Sequence, residues 1–561
     1  MEQREFTAWL RSPRESTGIR FAHRDGWDHW PYPRLAGLAG RFAAVYRSEG
    51  VREGDVVAIL LDTGPEFVAA LYAAAAVGAA AAPVAPPPLF GPAAEHTLRI
   101  EAVLDNARPT LVVTSTRHRG HTGDRRALIA EEIAEEATSA MTGAGRHTGG
   151  RLTGEPVGLL APAEPDRTVL VQFTSGSTAS PRGVRVSEGA LATTLSTLGG
   201  WLDHTPDTPT ASWLPLHHDM GLVGCLLGPV AHQADLWLLP TAEFVRRPLR
   251  YLRCFSEHRA ALSAMPVFGL DHISARVRPR DLAGADFSSW RVLILGAERI
   301  DPDSLRRFHD LLGPHGFDPA AFAPAYGLAE ATLAVTGTPA GRGWRSLTVD
   351  PATLVPGARV VRADVPAARE IVSCGPPLGR ARVRVLDDRG DAVDDGVVGE
   401  ISVEGPMVAS GYVGDSEATG SRLEGSGVRT GDAGFLLDGE LFVLGRLGDA
   451  MKIRGRTVYA EDLEAVLGHE GARPVVALGS RAARPVVLAV VGTTESGARI
   501  ERIRSTLDRL GEGASVEVRR VPAARVPRTT SGKPRRRELF RRFLNGELDE
   551  AGSTVGELAK P

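Results

Sequence analysis

The sequence predicts an α/β protein with a large N-terminal part and a smaller C-terminal domain. Over about the first 300 residues, short runs rich in Val, Ile and Leu alternate with helix-length stretches, which is typical of parallel sheets with crossover helices. After about residue 370 the strand-like segments are closely spaced and separated by Gly and Asp, so a small β-rich subdomain is expected. The final segment of about 110 residues is long enough for a separate α+β domain.

The parallel sheets are predicted from short apolar runs that are bounded by Gly, Pro or charged residues. Runs of four to six apolar residues are typical of buried strands, and the longer stretch between the first two has the length of a helix. We expect these strands to form two parallel-sheet subdomains. The predicted strands are Val56–Leu61, Ala79–Val84, Leu111–Thr114, Ala234–Leu239, Ala260–Ala264 and Val292–Leu295, and the predicted helix is Glu66–Val77.

The β-rich subdomain and the C-terminal domain follow in the chain. The predicted strands of the subdomain include Ala381–Leu386, Gly399–Val403 and Leu441–Leu444. The stretch Gly445–Gly448 comes next and precedes the final segment, so the domain boundary is placed there. We therefore predict an N-terminal domain at residues 1–447 and a mobile C-terminal domain at residues 448–561.

Composition excludes several classes of function. The 561 residues include 65 basic and 68 acidic side chains, so the net charge of -3 gives no field that would favour nucleic acid. The three cysteines, Cys225, Cys254 and Cys374, are widely spaced and predict neither disulfides nor a metal site. The charged N-terminus does not resemble a secretory signal, so a cytoplasmic location is expected. The Ala-rich run Phe67–Ala82 is too short for a membrane span and is predicted to be a buried helix.

A loop rich in Ser, Thr and Gly follows the apolar run Val169–Val171. In this loop, Thr174–Gly183, small residues allow backbone N–H groups and hydroxyls to surround phosphate oxygens. It is not a Walker A loop, because no Gly-Lys-Ser/Thr follows at the required spacing. Such a loop is by itself more often an ordinary turn. The phosphate-binding interpretation therefore depends on other segments of the chain.

Four further segments accompany the loop core Thr174–Thr178 in a fixed order. With it they resemble the adenylate-forming enzymes, which include acyl-CoA synthetases, adenylation domains of peptide synthetases, luciferases and fatty acyl-AMP ligases. The resemblance extends from about residue 30 to residue 540 and is closest to the fatty acyl-AMP ligase branch. The four segments are Tyr326–Glu330, Thr430–Asp432, Gly445 with Arg446, and Ser531–Lys533.

The resemblance implies a role for each of these segments. Tyr326 would lie against adenine, Glu330 would hold Mg²⁺ between nucleotide phosphates, and Asp432 would accept hydrogen bonds from the ribose hydroxyls. One or two protein carboxylates with several phosphate oxygens is the usual arrangement for Mg²⁺. Lys533, carried by a mobile domain, would stabilise charge on the carboxylate and the α-phosphate. Without the family match, Asp432 would be interpreted as an Asx turn and Lys533 as a solvated side chain.

The full set of implied site residues follows from the same resemblance. The catalytic residues would be Lys533, Glu330, Thr174 and His218, and Glu330 would be the metal ligand. Arg182, in place of the lysine of many CoA synthetases, is a candidate phosphate contact. The cofactor-binding residues would be Thr174, Ser175, Gly176, Ser177, Thr178, Gly296, Ala297, Glu298, Ala325, Tyr326, Gly327, Leu328, Asp432, Arg446 and Lys533.

The segment Trp213–Gly221 resembles the His-Asp-Met-Gly segment of fatty acyl-AMP ligases. His218 would then line the acyl pocket and Asp219 would support it. An alternative makes Asp219 the partner of an amino-acid ammonium group, although the flanking residues fit the fatty-acid branch better. The expected apolar pocket walls are Leu222, Val223, Met265 and Phe268.

The acyl acceptor is left open between CoA and the phosphopantetheine of an acyl carrier protein. The segment between Glu330 and Cys374 is longer than CoA synthetases need and resembles an element that, in acyl-AMP ligases, restrains the C-terminal domain and disfavours CoA. Gly448 stands at the hinge position where relatives usually have Asp or Lys. We therefore expect an enzyme that uses ATP and Mg²⁺ to activate a hydrophobic carboxylic acid and then transfers it to a carrier protein. The alternatives are an acyl-CoA synthetase, possible specialisation for one half-reaction, and a binding scaffold without turnover.

Overall fold

The fold was described from a computed structural model of the chain. The structure describes residues 6–87, 93–135, 160–174, 181–363, 368–414, 422–453, 456–467, 474–481, 484–510, 514–528 and 534–548. Ser175–Thr178 and Lys533, which the sequence predicts to be site residues, lie outside these ranges. Among the described helices, none is long and apolar enough to cross a membrane.

Two large sheets form the N-terminal part, and their central strands are parallel. Each sheet carries an antiparallel pair at one edge or both. The first sheet runs, from edge to edge, through Ala334–Gly337, Phe322–Gly327, Val292–Leu295, Leu262–Met265, Thr210–Ser212, Leu236–Leu238, Gly18–His23 and Gly26–Pro31. The second runs through Gly411–Tyr412, Arg182–Ser187, Thr168–Thr174, Ala80–Pro83, Val56–Leu60, Leu111–Thr114 and Ala127–Ile129.

Helices cover these sheets, and the largest apolar core among the described residues contains side chains from both sheets and from the helices that pack on them. The Ala-rich run predicted to be one helix is divided, since the helix ends at Ala76 and the chain continues as the strand Ala80–Pro83. Gly78, with φ of +81°, turns the chain between them. The helices of this part are Tyr32–Ser48, Pro65–Ala76, Ala93–Ala107, Glu188–Leu202, Gly228–Ala231, Thr241–Arg246, Pro248–Ser256, Val267–Arg276 and Pro302–Leu312, with a π-helix at Met220–Leu227.

The predicted β-rich subdomain is a five-stranded antiparallel sheet. Its strands are Arg382–Leu386, Gly399–Glu404, Arg422–Glu424, Gly427–Leu437 and Glu440–Arg446. Next to it, Ser346–Val349 and Arg369–Val372 pair as an antiparallel ribbon. The ribbon belongs to the long segment between Glu330 and Cys374.

The C-terminal part begins after a short turn at Leu447–Asp449. Apolar side chains of its three-stranded sheet form two small cores, one on each face, against the helices. This arrangement is the mixed α/β class that the sequence predicts. The strands are Ala450–Ile453, Arg456–Tyr459, Val475–Arg481, Arg484–Val491 and Ser515–Arg520, and the helices are Ala460–Leu467, Gly497–Leu510 and Arg536–Leu544.

Candidate active site

A cavity of about 1330 Å³ lies where the carboxyl ends of the first sheet's strands meet the β-rich subdomain and the C-terminal part. The carboxyl ends of parallel strands are the usual ligand site of α/β sheets. The cavity brings together most of the described residues that the sequence predicts for the site. Those that line it are His218, Gly296, Ala297, Glu298, Ala325, Tyr326, Gly327, Leu328, Glu330, Asp432 and Arg446.

Asp432 lies in a cluster with Arg446 and Tyr326. Adjacent strands place Asp432 directly opposite Arg446, and Arg446 Nε is 2.8 Å from Asp432 Oδ1. The Tyr326 hydroxyl donates to Asp432 Oδ2 at 2.6 Å. The negative charge of Asp432 raises the pKa of Arg446, and burial, followed by that charge, raises the pKa of Tyr326. Asp432 is therefore an oriented hydrogen-bond acceptor at the cavity wall, as a ribose-binding carboxylate must be.

Glu330 lies in a second cluster on the same cavity. Its side chain is only 5% exposed, and its Oε1 accepts a hydrogen bond from the Tyr412 hydroxyl at 3.1 Å. Arg182 Nη2 lies 3.6 Å from the same oxygen. Arg182, the candidate phosphate contact, thus stands beside the predicted metal ligand.

The Glu330 carboxylate fits the predicted role in holding Mg²⁺. It provides a hard oxygen donor at a cavity where nucleotide phosphates would supply the remaining oxygens. Within the described residues, no group of three or more His, Cys, Asp and Glu side chains could hold a metal by itself. A site completed by the nucleotide is consistent with both observations.

The loop after strand Val292–Leu295 forms another part of the cavity wall. Ala297 adopts a left-handed conformation with φ of +67°, which turns the chain sharply after Gly296. A Cβ on Gly296 would approach the carbonyl oxygen of Ala325 to 3.2 Å, so this position favours glycine. The Glu298 carboxylate accepts a hydrogen bond from the Phe268 N–H at 2.7 Å. Gly296–Glu298 is therefore held against the neighbouring strand Phe322–Gly327.

His218 and Asp219 lie at the start of the π-helix Met220–Leu227. His218 Nδ1 is 2.6 Å from Asp219 Oδ1, and that carboxylate oxygen also accepts from the Met220 N–H at 2.7 Å. Asp219 therefore orients the His218 ring, as the sequence predicts. Burial lowers the pKa of the neighbouring His217 to about 3, so a neutral imidazole also lines the cavity.

The apolar end of the cavity differs from the sequence prediction. Leu222, Val223 and Met265 are buried in the cores and do not line the cavity, while Phe268 is 45% exposed elsewhere. The observed walls come from helix Glu188–Leu202 and the chain around strand Ala334–Gly337. They include Leu198, Trp201, Leu202, Gly224, Leu333 and Ala334.

Trp201 is fixed at this apolar end. Its Nε1 donates to the Thr338 carbonyl at 2.8 Å, and its ring lies so close to Gly337 that a Cβ there would not fit. No sequence motif singles out Trp201, since its contact with Gly337 and Thr338 joins segments more than 130 residues apart.

The C-terminal part contributes an ionic cluster to the cavity that sequence reasoning missed. Arg536 Nη1 lies 3.0 Å from Glu461 Oε1 and 3.8 Å from Asp449 Oδ2, while its Nη2 lies 2.8 Å from Glu464 Oε2. Burial raises the pKa of Glu461 to about 7, and the adjacent Arg536 only partly opposes that effect. The cluster therefore holds three carboxyl groups around one guanidinium.

The ribbon segment between Glu330 and Cys374 packs against the start of the C-terminal part. Leu347, Val349 and Leu354 share an apolar core with Tyr459, which is fully buried. Leu447 and Ala450, on either side of Gly448, pack against the same core. The ribbon segment and the start of the C-terminal part therefore contribute side chains to one apolar core.

Two sites predicted for the cofactor remain predictions. Thr174 ends the strand Thr168–Thr174, next to the strand that begins at Arg182, and the loop between them is outside the described residues. Lys533 is also outside them, but the chain resumes at Pro534, which lines the cavity. The residues on either side of the first segment and the residue after Lys533 are therefore at or beside the cavity.

Comparison with known proteins identifies the family. The AMP-binding enzyme family matches residues 7–413. The chain belongs to this family. Within it, the fatty acyl-AMP ligase branch is indicated by relatives that match across nearly the whole chain.

Three matches extend beyond the family's own range into the C-terminal part. A Caulobacter vibrioides protein with a provisional acyl-CoA synthetase name is 33% identical, covering 92% of this chain and 90% of the relative. The medium-chain-fatty-acid–[acyl-carrier-protein] ligase JamA of Moorena producens is 30% identical, covering 93% and 91%. A solved structure from a study of fatty acyl-adenylate ligases of E. coli and L. pneumophila is 28% identical with a TM-score of 0.85, covering 97% and 98%. The AMP-binding enzyme is thus an AMP-forming acyl ligase.

Proposed function

We propose that this enzyme uses ATP to activate a hydrophobic carboxylic acid as acyl-AMP and then transfers the acyl group to the phosphopantetheine thiol of an acyl carrier protein. The observation that carries the proposal is the composition of the cavity. Two oriented carboxylates, Glu330 and Asp432, lie on the same cavity as an apolar wall that includes Trp201. A nucleotide and an apolar acid could therefore bind next to each other.

In the first half-reaction, a carboxylate oxygen of the acid attacks the α-phosphorus of ATP, and the bond to the β-phosphate oxygen breaks to release pyrophosphate. Asp432 would accept hydrogen bonds from the ribose hydroxyls, and Tyr326 would lie against the base. Arg446 would hold the Asp432 carboxylate in its orientation. Binding both reactants in this geometry lowers the entropic cost of the reaction.

Charge stabilisation is assigned to Glu330 and Lys533. Glu330 would hold Mg²⁺, which when bound neutralises charge on the nucleotide phosphates. The Lys533 ammonium group would stabilise the charge that develops between the acid and the α-phosphate. Thr174 and the loop residues after it would donate hydrogen bonds to the phosphates.

In the second half-reaction, the acceptor thiolate attacks the acyl carbon, and AMP leaves with the bonding electrons of the anhydride. Packing of Leu347, Val349 and Leu354 with Tyr459 supports a carrier protein as acceptor, because it joins the ribbon segment to the start of the C-terminal part. In the resembling branch this restraint disfavours CoA. The carrier-protein ligase JamA, similar over nearly the whole chain, supports the same acceptor.

The test supplies ATP, Mg²⁺ and a panel of acids, follows pyrophosphate release, and then offers CoA and holo-carrier protein in separate reactions. We expect acyl-AMP from an apolar acid and a thioester on the carrier protein. A CoA thioester with none on the carrier would instead support the second candidate, an acyl-CoA synthetase, which the name of the Caulobacter relative favours. No acyl-AMP from any acid would contradict both.

Lys533→Ala tests the mechanism within the same assay. Loss of a preorganised charge at the transition state should lower the rate of acyl-AMP formation by about 100-fold or more. Lys560→Ala, a lysine near the C-terminus that matches no family segment, is the control and should keep the parent rate. An unchanged rate in Lys533→Ala would remove Lys533 from the mechanism.

A further inference from the structure

Tyr412 connects the two charged side chains of the Glu330 cluster. Its hydroxyl donates to Glu330 Oε1 at 3.1 Å, and its ring carries the Arg182 guanidinium, whose Cζ lies 4.6 Å from the ring centroid. Arg182 Nη2 is 3.6 Å from the same carboxylate oxygen. Tyr412 thus contacts both charged side chains: its hydroxyl makes a hydrogen bond to the Glu330 carboxylate, and its ring makes a cation–π contact with the Arg182 guanidinium.

The backbone fixes Tyr412 relative to both partners. The short strand Gly411–Tyr412 pairs with the strand that begins at Arg182, and the Val413 N–H donates to the Gly183 carbonyl at 2.7 Å. Two residues before this strand, the Ala409 N–H donates to the backbone carbonyl of Glu330 at 2.8 Å. The position of the Tyr412 ring therefore depends on the same short segments that carry Arg182 and Glu330.

The energetics explain why such an arrangement is useful before a nucleotide binds. The side chains of Glu330 and Arg182 are 5% and 11% exposed, so neither charge is well solvated. A buried carboxylate without a partner would be costly. Arg182 supplies the compensating charge, and the Tyr412 hydroxyl holds the Glu330 carboxylate beside it. A carboxylate oriented in this way is positioned to accept a metal ion.

Resting on the proposed function, we propose that Tyr412 is a positioning residue for Glu330 and that Arg182 is the counter-ion which Glu330 exchanges for nucleotide-bound Mg²⁺. The Tyr412 hydroxyl and the Arg182 guanidinium both lie against Glu330 Oε1, so the tyrosine holds the carboxylate beside its counter-ion. Tyr412 acts through Glu330 and touches neither the acid nor the α-phosphorus in this scheme.

Tyr412→Phe isolates the hydroxyl, because it retains the ring that carries Arg182. We expect the Mg²⁺ concentration for half-maximal pyrophosphate release to rise about tenfold, as is usual when the partner of a metal-ligating side chain is removed. At saturating Mg²⁺ the rate should return close to that of the parent. Tyr46→Phe is the matched control, since it removes a buried tyrosine hydroxyl that donates to the Ala70 carbonyl within a core helix pair. It should leave the Mg²⁺ dependence unchanged.

Calorimetric binding measures the same effect without turnover or an acid substrate. Tyr412→Phe should weaken binding of ATP in the presence of Mg²⁺ by about the same factor and leave binding of ATP in EDTA unchanged. This measurement separates failure of the inference from failure of the proposed function, because it applies even if no acid in the panel is activated. Equal weakening with and without Mg²⁺, or a parent-like Mg²⁺ dependence, would overturn the positioning role.

A double-mutant cycle with Glu330→Gln tests the connection between the two residues. If Tyr412 acts through Glu330, adding Tyr412→Phe to Glu330→Gln should change Mg²⁺-dependent ATP binding by less than twofold, whereas independent residues would give multiplied effects. Thermal unfolding of each variant confirms folding. A further tenfold loss in the double variant would show that Tyr412 acts elsewhere and would contradict the inference.

Discussion

Two groups of buried charges meet at the cavity, and they are balanced differently. In the first group, which contains Asp432 and Glu330, each acid has a basic partner: Arg446 lies against Asp432, and Arg182 lies against Glu330. In the second, the Arg536 cluster, one guanidinium lies among the carboxyl groups of Asp449, Glu461 and Glu464, and Arg537 approaches only Asp449, at 3.9 Å.

The difference predicts which group titrates near neutral pH. The Arg536 cluster has more acidic than basic side chains, and burial raises the pKa of Glu461 to about 7. The Glu461 Oε2 atom is buried and has no hydrogen-bond partner in the described part of the chain, which fits a group that is protonated at mildly acidic pH. Asp432 and Glu330 are each matched by a guanidinium, whereas the Arg536 cluster contains an acid that can titrate.

Removing Arg536 should have the largest effect. Arg536→Met leaves the buried Glu461 and Glu464 carboxyl groups without their nearest cation, and breaking such a buried pair typically costs about 3–5 kcal/mol. The loss should be greatest above pH 7, where Glu461 is ionised. We expect hydrogen exchange of the strands Val475–Arg481 and Arg484–Val491 to accelerate strongly.

The control for this change lies on the same helix. Arg541 is 58% exposed and pairs with Glu538 at the surface, so Arg541→Met should leave hydrogen exchange of those strands at the parent rate. If the strands of Arg536→Met exchange hydrogen as slowly as those of the parent, the three acids do not need Arg536 to compensate their negative charge. The proposed difference between the two groups of charges would then be wrong.

On the nucleotide side, Asp432→Asn should lower kcat/KM for ATP by about 10- to 100-fold, because hydrogen bonds to a charged acceptor contribute about 1.5–3 kcal/mol. The change also leaves Arg446 without its carboxylate. Asp438→Asn is the control, since Asp438 is 70% exposed in the adjacent turn and Asn tolerates its left-handed conformation. The measurement is steady-state kinetics with varied ATP. Equal values of kcat/KM for the two variants would contradict the assignment of Asp432 as the ribose-binding carboxylate.

Much of the fold could be predicted because its signals are local. Strands Leu111–Thr114 and Val292–Leu295 have the predicted bounds, because a short apolar run between polar residues marks where the strand begins and ends. The predicted helix Glu66–Val77 and strand Ala79–Val84 are confirmed to within one or two residues, whereas interpretation of the whole run Phe67–Ala82 as one buried helix was wrong because Ala suits both a buried helix and a buried strand.

The site was predictable where the family segments carry it, as at Glu330 and Asp432, and not where distant segments meet. The predicted pocket walls Leu222 and Val223 were wrong because a helix buried on all sides is apolar all round, so its sequence does not show which face meets a cavity. Likewise, Tyr412 and Arg182 are far apart in the chain, and only the pairing of their strands brings them together.

The smallest expected effect concerns the pH dependence of stability. Because the folded-state pKa of Glu461 is about 7 and its usual value is 4.5, the folded protein binds more protons than the unfolded chain between those pH values. The stabilisation from protonated Glu461 is therefore complete below about pH 4.5 and is lost as the pH rises through about 7. Glu461→Gln keeps a neutral side chain at every pH. The free energy of unfolding of the variant should therefore rise relative to that of the parent across this pH window, by no more than about 3 kcal/mol, and the difference should then level off. The measurement is the difference in thermal unfolding midpoint between variant and parent from pH 4.5 to pH 8, with Glu501→Gln, 74% exposed on helix Gly497–Leu510, as a control whose difference should stay constant. A pH-independent difference for Glu461→Gln would show that Arg536 compensates the charge of all three acids. The charges of the Arg536 cluster would then be as well balanced as those of the Asp432–Arg446 and Glu330–Arg182 pairs.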